Sequence, residues 1–435
     1  MTPLPKKFGN IPSNVKAISF ESIQIRIAAV ILTTGVALGA FFTFIWGFAN
    51  TASANADLKE VGQLFAELSP SDPQTHFAAA VLYEKALEPG DFEAALKELE
   101  AATALSPHNY LLWLRLASAR GRAGDAAGTE AALRRAQELA PNYSRVNWAL
   151  GNFLLREGKD DEGYSELRKA VAGDPSLASL AAATALQMSD GNVATVISRF
   201  ENSSKIRISL SLQLAGQQKF DEAVAIWNKV EPENSDQYRE AAKQMRNTLI
   251  ENKKFAAALS LAGQPESTNG VTPEFEKITN PGFELPVKTQ GGDPFDWVVT
   301  QDAYPQIGVT DAQKISGNFS LIALMSGQNF QDFRGPRQLV VVRGGGSYEL
   351  VVNYKSDVRS AAQFHWEVAS AKDGRRIALS PAMGGTPNWT KISIHFTVPG
   401  ESEGVEIRFV RGECPSANCA AAGSFWFDDL SLNKK

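Results

Sequence analysis

The chain has 435 residues, 44% of them apolar and 21% charged, with a net charge of −5. That length exceeds one ordinary hydrophobic core and the composition is that of globular protein, so two or three folded domains are expected. The acidic balance argues against a nucleic-acid partner, which a basic excess normally marks. The two cysteines, Cys414 and Cys419, are too few for a structural zinc site with its four ligands.

The first element in chain order is a membrane span. Residues 27–48, IAAVILTTGVALGAFFTFIWGF, carry no charge. A helix rising ~1.5 Å per residue takes them across roughly 33 Å, enough for a hydrocarbon core of ~30 Å. Lys6, Lys7, Lys16 and Arg26 precede the run against a single acid, Glu21, and the next charge after it is Asp57. The positive-inside rule then predicts a cytoplasmic tail over 1–26 and a single-pass chain whose bulk lies beyond the membrane, periplasmic or extracellular. Ala54-Asn55-Ala56 has the small-x-small form of a signal-peptidase site, but the apolar run is longer than the roughly 7–15 residues of a signal core. A retained anchor and a cleaved, secreted form both place 57–435 outside the cytoplasm. There a disulfide between Cys414 and Cys419 is expected, closing so short a loop that it adds only about 2 kcal/mol; the alternative is two free thiols.

A ruler runs through the next segment. Pro73, Pro107, Pro141 and Pro175 recur every 34 residues. Laid over one another, the blocks align Leu82, Leu116 and Leu150; then Leu99, Leu133 and Leu167; then Ala102, Ala136 and Ala170. Gly90, Gly124 and Gly158 fall where a turn would join two helices in each block. A proline at each boundary suits a helix start, where its missing N–H removes no hydrogen bond.

A period of 34 residues with two helices resembles the tetratricopeptide repeat. Trp113 stands where that family places its first-helix tryptophan, and Leu150-Gly151 match its Leu-Gly pair. Ala95 matches its small second-helix residue, although Thr129 and Gly163 take that place in the next blocks. The resemblance implies an all-α solenoid over 57–263 with five to six helix pairs. It also implies a capping helix within 57–72, further second helices at 219–232 and 254–266, and an irregular stretch at 176–204. First helices of this family line a concave groove that holds peptides or partner proteins. By family position the groove residues are Phe77, Glu84, Leu111, Leu114, Ser118, Arg122, Arg145, Trp148, Asn152 and Arg156. Arginines beside a tryptophan and leucines suit an acidic or extended segment of a protein partner. The plainer reading is that Trp148 packs inward and the arginines are solvated surface.

After a polar, Pro- and Gly-containing linker at 264–275 the hydrophobic period drops to two. Residues 320–325, 337–342, 347–354, 363–368, 391–398, 405–410 and 424–432 read as strands, which gives an all-β sandwich over 276–435. The ordered set ITNPGFEL, SGNFSLIAL, GGSYELVVNYKS, NWTKISIHFTVP and FWFDDLSL resembles the galactose-binding-like jelly roll of many carbohydrate-binding modules. On that resemblance TNPGFELP, residues 279–286, is the first strand of the sandwich. The resemblance also implies a structural calcium held by Glu284 and Asp428, whose hard oxygens suit that ion; the alternative is that both carboxylates accept backbone hydrogen bonds. Saccharide binding needs exposed aromatic faces, and the candidates are Trp297, Tyr354 and Trp389. Trp366 alternates in phase with Phe364 and Val368 and reads as core, with His365 and Glu367 on the other face. Trp426 lies between Phe425 and Phe427, so one side of that strand is wet or covers something.

Catalytic motifs are missing. There is no Walker lysine loop, no His-Glu-x-x-His and no Gly-x-Ser-x-Gly, and the four histidines are scattered. These readings converge on a non-enzymatic, membrane-anchored envelope scaffold, with a repeat groove for a protein partner and a head for polysaccharide or another surface component. The family analogy adds a role in assembling or exporting extracellular polysaccharide. The alternatives are a purely protein-binding assembly factor of a secretion or pilus-like machine and, less favoured, a carbohydrate-active enzyme.

Overall fold

The computed structural model describes residues 22–86, 88–231, 235–261, 272–287, 294–300, 304–327, 332–413 and 420–435. Most of the basic tail, residues 264–271 of the linker, and Cys414 and Cys419 lie outside the described residues. The chain divides into two compact units, Met1–Ala181 and Ala182–Lys435.

The first unit opens with α1 (Ile23–Ser53), one turn longer at each end than the uncharged run, with the Ser22 side chain accepting from the Ile25 N–H. It is long and apolar enough to cross a membrane, and Val30, Ile31, Leu32, Phe42 and Phe44 are all exposed along it. Its last turns differ. Ala49 and Ser53 are buried, the Phe48 ring meets Phe65 edge-on at 6.0 Å, and the Asn50 side chain donates to Asp72 at 2.8 Å. Phe65 belongs to α2 (Lys59–Leu68), and Lys59 at its start reaches Asp91 at 2.9 Å and also bonds Glu88.

Three helix pairs follow: α3 (Pro73–Ala86) with α4 (Asp91–Leu105), α5 (Tyr110–Arg122) with α6 (Ala126–Leu139), and α7 (Ser144–Arg156) with α8 (Asp160–Gly173). The aligned columns are their core: the leucine triplets are at most 5% exposed and the alanine triplet is fully buried. Gly90, Gly124 and Gly158 turn each pair with φ of 88°, 76° and 72°, the left-handed region that glycine enters without a Cβ clash. One further column shares a task. Trp113 and Asn147, 34 residues apart, each donate a side-chain N–H back to the proline carbonyl that begins their block, at 2.9 and 3.0 Å.

The stretch expected to be irregular at 176–204 is instead a shortened helix pair, α9 (Ala178–Met188) and α10 (Val193–Arg199), entered through a 3-10 turn at Pro175–Leu177. Asn192 caps α10 by accepting from Thr195, so a side chain starts this helix where the proline ruler has ended. Two more pairs complete the helical part: α11 (Ser204–Gly216) with α12 (Phe220–Trp227), and α13 (Asp236–Glu251) with α14 (Phe255–Ser260).

The sandwich strands are β1 (Gln306–Thr310), β2 (Ser320–Ser326), β3 (Arg337–Val341), β4 (Ser347–Ser356), β5 (Arg359–Ser360), β6 (Phe364–Ser370), β7 (Arg376–Leu379), β8 (Thr386–Thr397), β9 (Gly404–Arg411) and β10 (Ala421–Lys434). One sheet runs β1-β2-β10-β4-β8, with β5 added to β10; the other runs β3-β9-β6-β7. Every pairing is antiparallel. Period-two patterning sends Phe364, Trp366, Phe409, Phe425 and Phe427 into the layer between the sheets, each at most 1% exposed.

TNPGFELP is not a strand. Asn280 and Phe283 adopt positive φ, 49° and 57°, and the Asn280 side chain closes a loop onto both backbone groups of Leu285 at 2.9 and 3.2 Å. The loop drives Phe283, fully buried, against Trp297 at 5.1 Å between ring centres. It is a plug at the edge of the core, held to β10 by the Leu430 N–H donating to the Pro281 carbonyl.

Helices α7 and α8 approach each other closely through Gly151 and Gly163. A Cβ placed on Gly163 would sit 2.8 Å from Leu155 and 3.1 Å from the Gly151 carbonyl. Gly163→Val should therefore destabilise by about 1–3 kcal/mol through overpacking, read as a lower denaturation midpoint in urea at unchanged slope.

Candidate functional site

The groove expected from the repeats is present in part. Phe77, Leu111, Leu114 and Arg145 line a cleft of about 610 Å³ together with Pro73, Asn109, Arg115 and Tyr143. That volume is ordinary for a binding site. Leu111 is half exposed, and the Tyr110 and Tyr143 rings meet edge-on at 5.1 Å beside it. The other expected groove residues are engaged elsewhere. Glu84 and Arg122 pair with each other. Asn152 donates to the Trp148 carbonyl and Arg156 to the Asn152 carbonyl, both along α7 itself. Trp148 is half-buried and Ser118 exposed, and neither lines the cleft. Position counting missed Arg115 and Tyr143, which reach the cleft from α5 and from the residue just before α7.

Arg115 and Arg145 differ from their neighbours in charge balance. Arg120, Arg134 and Arg135 are paired with Glu100, with Glu130 and Glu162, and with Glu138. Among the described residues Arg115 and Arg145 make no salt bridge. Asp174 feels the charge of Arg145, although Ser176 is what chiefly holds that carboxyl below its ordinary range. The cleft thus combines exposed apolar surface with two guanidinium groups lacking a bonded counter-charge.

In the sandwich, burial corrects two of the three expected stacking platforms. Trp297 is fully buried against Phe283 and Trp366, and its indole N–H donates to the Asn280 carbonyl at 3.1 Å. It follows the plug loop outside any strand, so alternation could not show which way it faces. Tyr354 is 7% exposed and packs beside Phe425, and burial pushes its hydroxyl up. Neither ring has a face free for a sugar. Trp389 remains partly exposed on β8, an edge strand. Trp366 is core, in phase with Phe364 and Val368. Trp426 stands half-buried, opposite Ile322 and Lys355 in register.

Glu284 and Asp428 do converge, on the loop before β2. Both Glu284 oxygens accept from the Asn318 N–H at 2.9 Å, and one also accepts from Phe319. One Asp428 oxygen accepts from Ile315 at 2.7 Å and Ser316 at 3.3 Å, the other from the Asp429 N–H. Gly317 lets the loop come this close, since a Cβ there would lie 2.0 Å from a Glu284 oxygen. Among the described residues no group of three or more His, Cys, Asp or Glu side chains could hold a metal. Each of the four carboxylate oxygens accepts at least one backbone N–H, so two carboxylates engaged this way fit poorly to a calcium ion, which takes six to eight oxygen ligands.

One polar network was not legible in the sequence. Glu367, on the outer face of β6, is 3% exposed and is gripped by Arg376 at 2.9 Å and by Arg408. Arg408 also reaches Glu406, which faces Arg337 at 3.7 Å. His365 on the same face is bonded through Nδ1 to the Ser380 carbonyl. The non-core face of β6 is therefore a covered ion-pair floor.

No family model matches the chain, and no curated protein matches it. Solved structures match in part. The chain is similar to the CBM22-1 xylan-binding domain of Paenibacillus barcinonensis Xyn10C at 18% identity, over 35% of this chain and 90% of that one, with a TM-score of 0.25. It is similar to MamA at 16% identity, over 48% of this chain and 96% of that one, with a TM-score of 0.31. It is similar to Pseudomonas aeruginosa PilF at 15% identity, over 52% of this chain and 88% of that one, with a TM-score of 0.26. The chain is a tetratricopeptide-type helical solenoid followed by a jelly-roll sandwich, as its own repeats and sheets show.

The carboxylate clip gives two expected outcomes. A chelator should leave the melting temperature of the sandwich unchanged, and a rise on adding calcium would instead place an ion there. Glu284 is held below its ordinary value of 4.5 by the Asn318 and Phe319 N–H groups, so its contribution is complete above that value and fades as pH falls through the lowered one. Asp428 runs the other way: burial raises it against the pull of the Ile315 and Ser316 N–H groups, so its ionised form is disfavoured in the fold. Glu284→Gln should therefore flatten the loss of melting temperature below about pH 4.5, measured by circular dichroism across an acid series.

Proposed function

We propose that the protein is a non-enzymatic scaffold anchored by α1, whose repeat cleft holds an acidic, leucine-bearing segment of a protein partner and whose sandwich binds saccharide. Its setting is the assembly or export of extracellular polysaccharide. The observation that carries this reading is the cleft between α3, α5 and α7, where Phe77, Leu111, Leu114 and Tyr143 lie beside the unbridged Arg115 and Arg145. An extended segment laid there would bury apolar side chains and supply the missing counter-charge, the combination that gives affinity and register together.

The saccharide half rests on the ordered jelly-roll motifs of the sequence and on the partly exposed Trp389 and Trp426. The burial of Trp297 and Tyr354 favours a second reading, in which the sandwich contacts protein rather than sugar. Retention of α1 is supported by its last turns, since cleavage after Ala56 would remove Ala49, Ser53, Phe48 and Asn50 from the packing they share with α2 and the loop before α3.

Two measurements test this. A peptide alternating Glu and Leu should bind the full chain in detergent, and Arg115→Glu/Arg145→Glu should weaken it by about tenfold or more, at roughly 1 kcal/mol for each lost exposed pair; equal binding by the variant removes the cleft reading. The mass of the chain extracted from membranes should include residues 1–56, whereas a product beginning at Asp57 would show a cleaved signal.

A further inference from the structure

The last helix pair and the sandwich belong to one compact unit, and a second cleft, of about 490 Å³, opens where they meet. Its walls come from three sources: Lys253 and Phe255 from the α13–α14 turn, Arg337 and Leu339 from β3, and Lys372 from the β6–β7 turn. Beside it lies the ion-pair floor of Glu367, Arg376, Arg408 and Glu406.

The charges in this cleft do not balance. Five ionisable side chains line it: Lys253, Arg337 and Lys372 against Asp373 and Glu406. Both acids are already engaged. Glu406 takes Arg408 at 3.1 Å and Arg337 at 3.7 Å. Asp373 accepts from the Arg375 N–H at 3.2 Å and faces its guanidinium at 4.0 Å. Lys253 and Lys372 make no salt bridge among the described residues; Lys253 has only the Phe255 ring, at 5.9 Å.

Lys253 also occupies an unfavourable backbone position. It stands at φ 61°, at the turn position held by Gly90, Gly124 and Gly158 in the first three pairs and by Gln218, at φ 63°, in the pair just before. Glycine enters the left-handed region without the Cβ clash that a side chain brings there.

We propose that this junction cleft binds an acidic saccharide, a chain bearing hexuronate carboxylates, with Lys253 and Lys372 as its two cationic contacts and the partly exposed Leu339 against the apolar edges of the rings. The proposal rests on the saccharide reading of the sandwich and names the class of sugar and its place. The cleft lies within the roughly 300–1,000 Å³ of small-ligand sites. The location explains why the strands alone do not show it, since one of its three cations, Lys253, comes from the helices.

The test is titration of the full chain in detergent with tetragalacturonate and with uncharged cellotetraose, at low and high salt. The variant is Lys253→Gly/Lys372→Gln, which removes both charges while restoring glycine to the strained turn, so its melting temperature should hold or rise. Binding of tetragalacturonate that weakens with salt and falls about tenfold or more in the variant, with cellotetraose unaffected, supports the proposal. Equal binding of tetragalacturonate by the variant overturns the junction site and leaves a saccharide site elsewhere on the sandwich. Binding of cellotetraose alone overturns the acidic class, and displacement by equimolar inorganic phosphate reassigns the cleft to a phosphate group. Binding of no saccharide removes the saccharide reading as well.

Discussion

A helix pair exposes two apolar faces, and neighbours in a stack cover one another's until the stack ends. Repeat arms usually end on a helix with a polar outer face. In this chain something outside the repeats meets each end. At the first end, the last turns of α1 lay Phe48, Ala49 and Ser53 onto α2 and the loop that follows it. At the other, the sandwich supplies the cover: Phe295 and Val341 share one buried cluster with Leu249, Phe255, Ala258 and Leu261, and Leu339 and Ala371 pack against it. The Arg246 guanidinium lies over the Phe295 ring at 5.5 Å, and Glu403 accepts from the Ala256 N–H in the first turn of α14.

This capping has consequences for what each domain can be. The sandwich uses part of the outer face of its four-stranded sheet to close the helical stack, so that face is shared between structure and any ligand. Separating the sandwich from α11–α14 would expose Leu339, Val341 and Phe295 together, an apolar patch that a soluble domain does not keep. Helices α11–α14 and the sandwich belong to one compact unit, and a break in the linker sequence does not make a break in the packing.

The repeats were legible because their signal is local and redundant. Four prolines on one spacing, three leucine or alanine columns and three turn glycines all encode the same helix pair, so the loss of Ala95's counterpart at Thr129 and Gly163 changes nothing. Strand alternation was equally readable for Phe364, Trp366 and Val368. What failed were residues whose fate depends on partners distant in sequence. Trp297 lies outside any strand and is buried by Phe283, itself placed by the positive φ of a loop that reads as a strand. Glu367 reads as a solvated carboxylate until β7 and β9 bring Arg376 and Arg408 to it. Arg115 lies one residue outside the counted groove positions, yet it lines the cleft.

Charge sorts these residues better than family position does. An arginine bonded to an acid of its own chain has spent most of its electrostatic reach, and at the surface such a pair contributes little to stability. Arg122 with Glu84, a pair taken from the counted groove, is of this kind. A cation left unbridged beside apolar surface is different, because its field is available to an incoming group and desolvation by that group strengthens the attraction. The two clefts described above have this pattern, Arg115 and Arg145 in one, Lys253 and Lys372 in the other. A leucine half exposed at position 111 and a lysine held in a left-handed turn at position 253 are departures from the local rules of their elements, and each departure sits on a cleft wall.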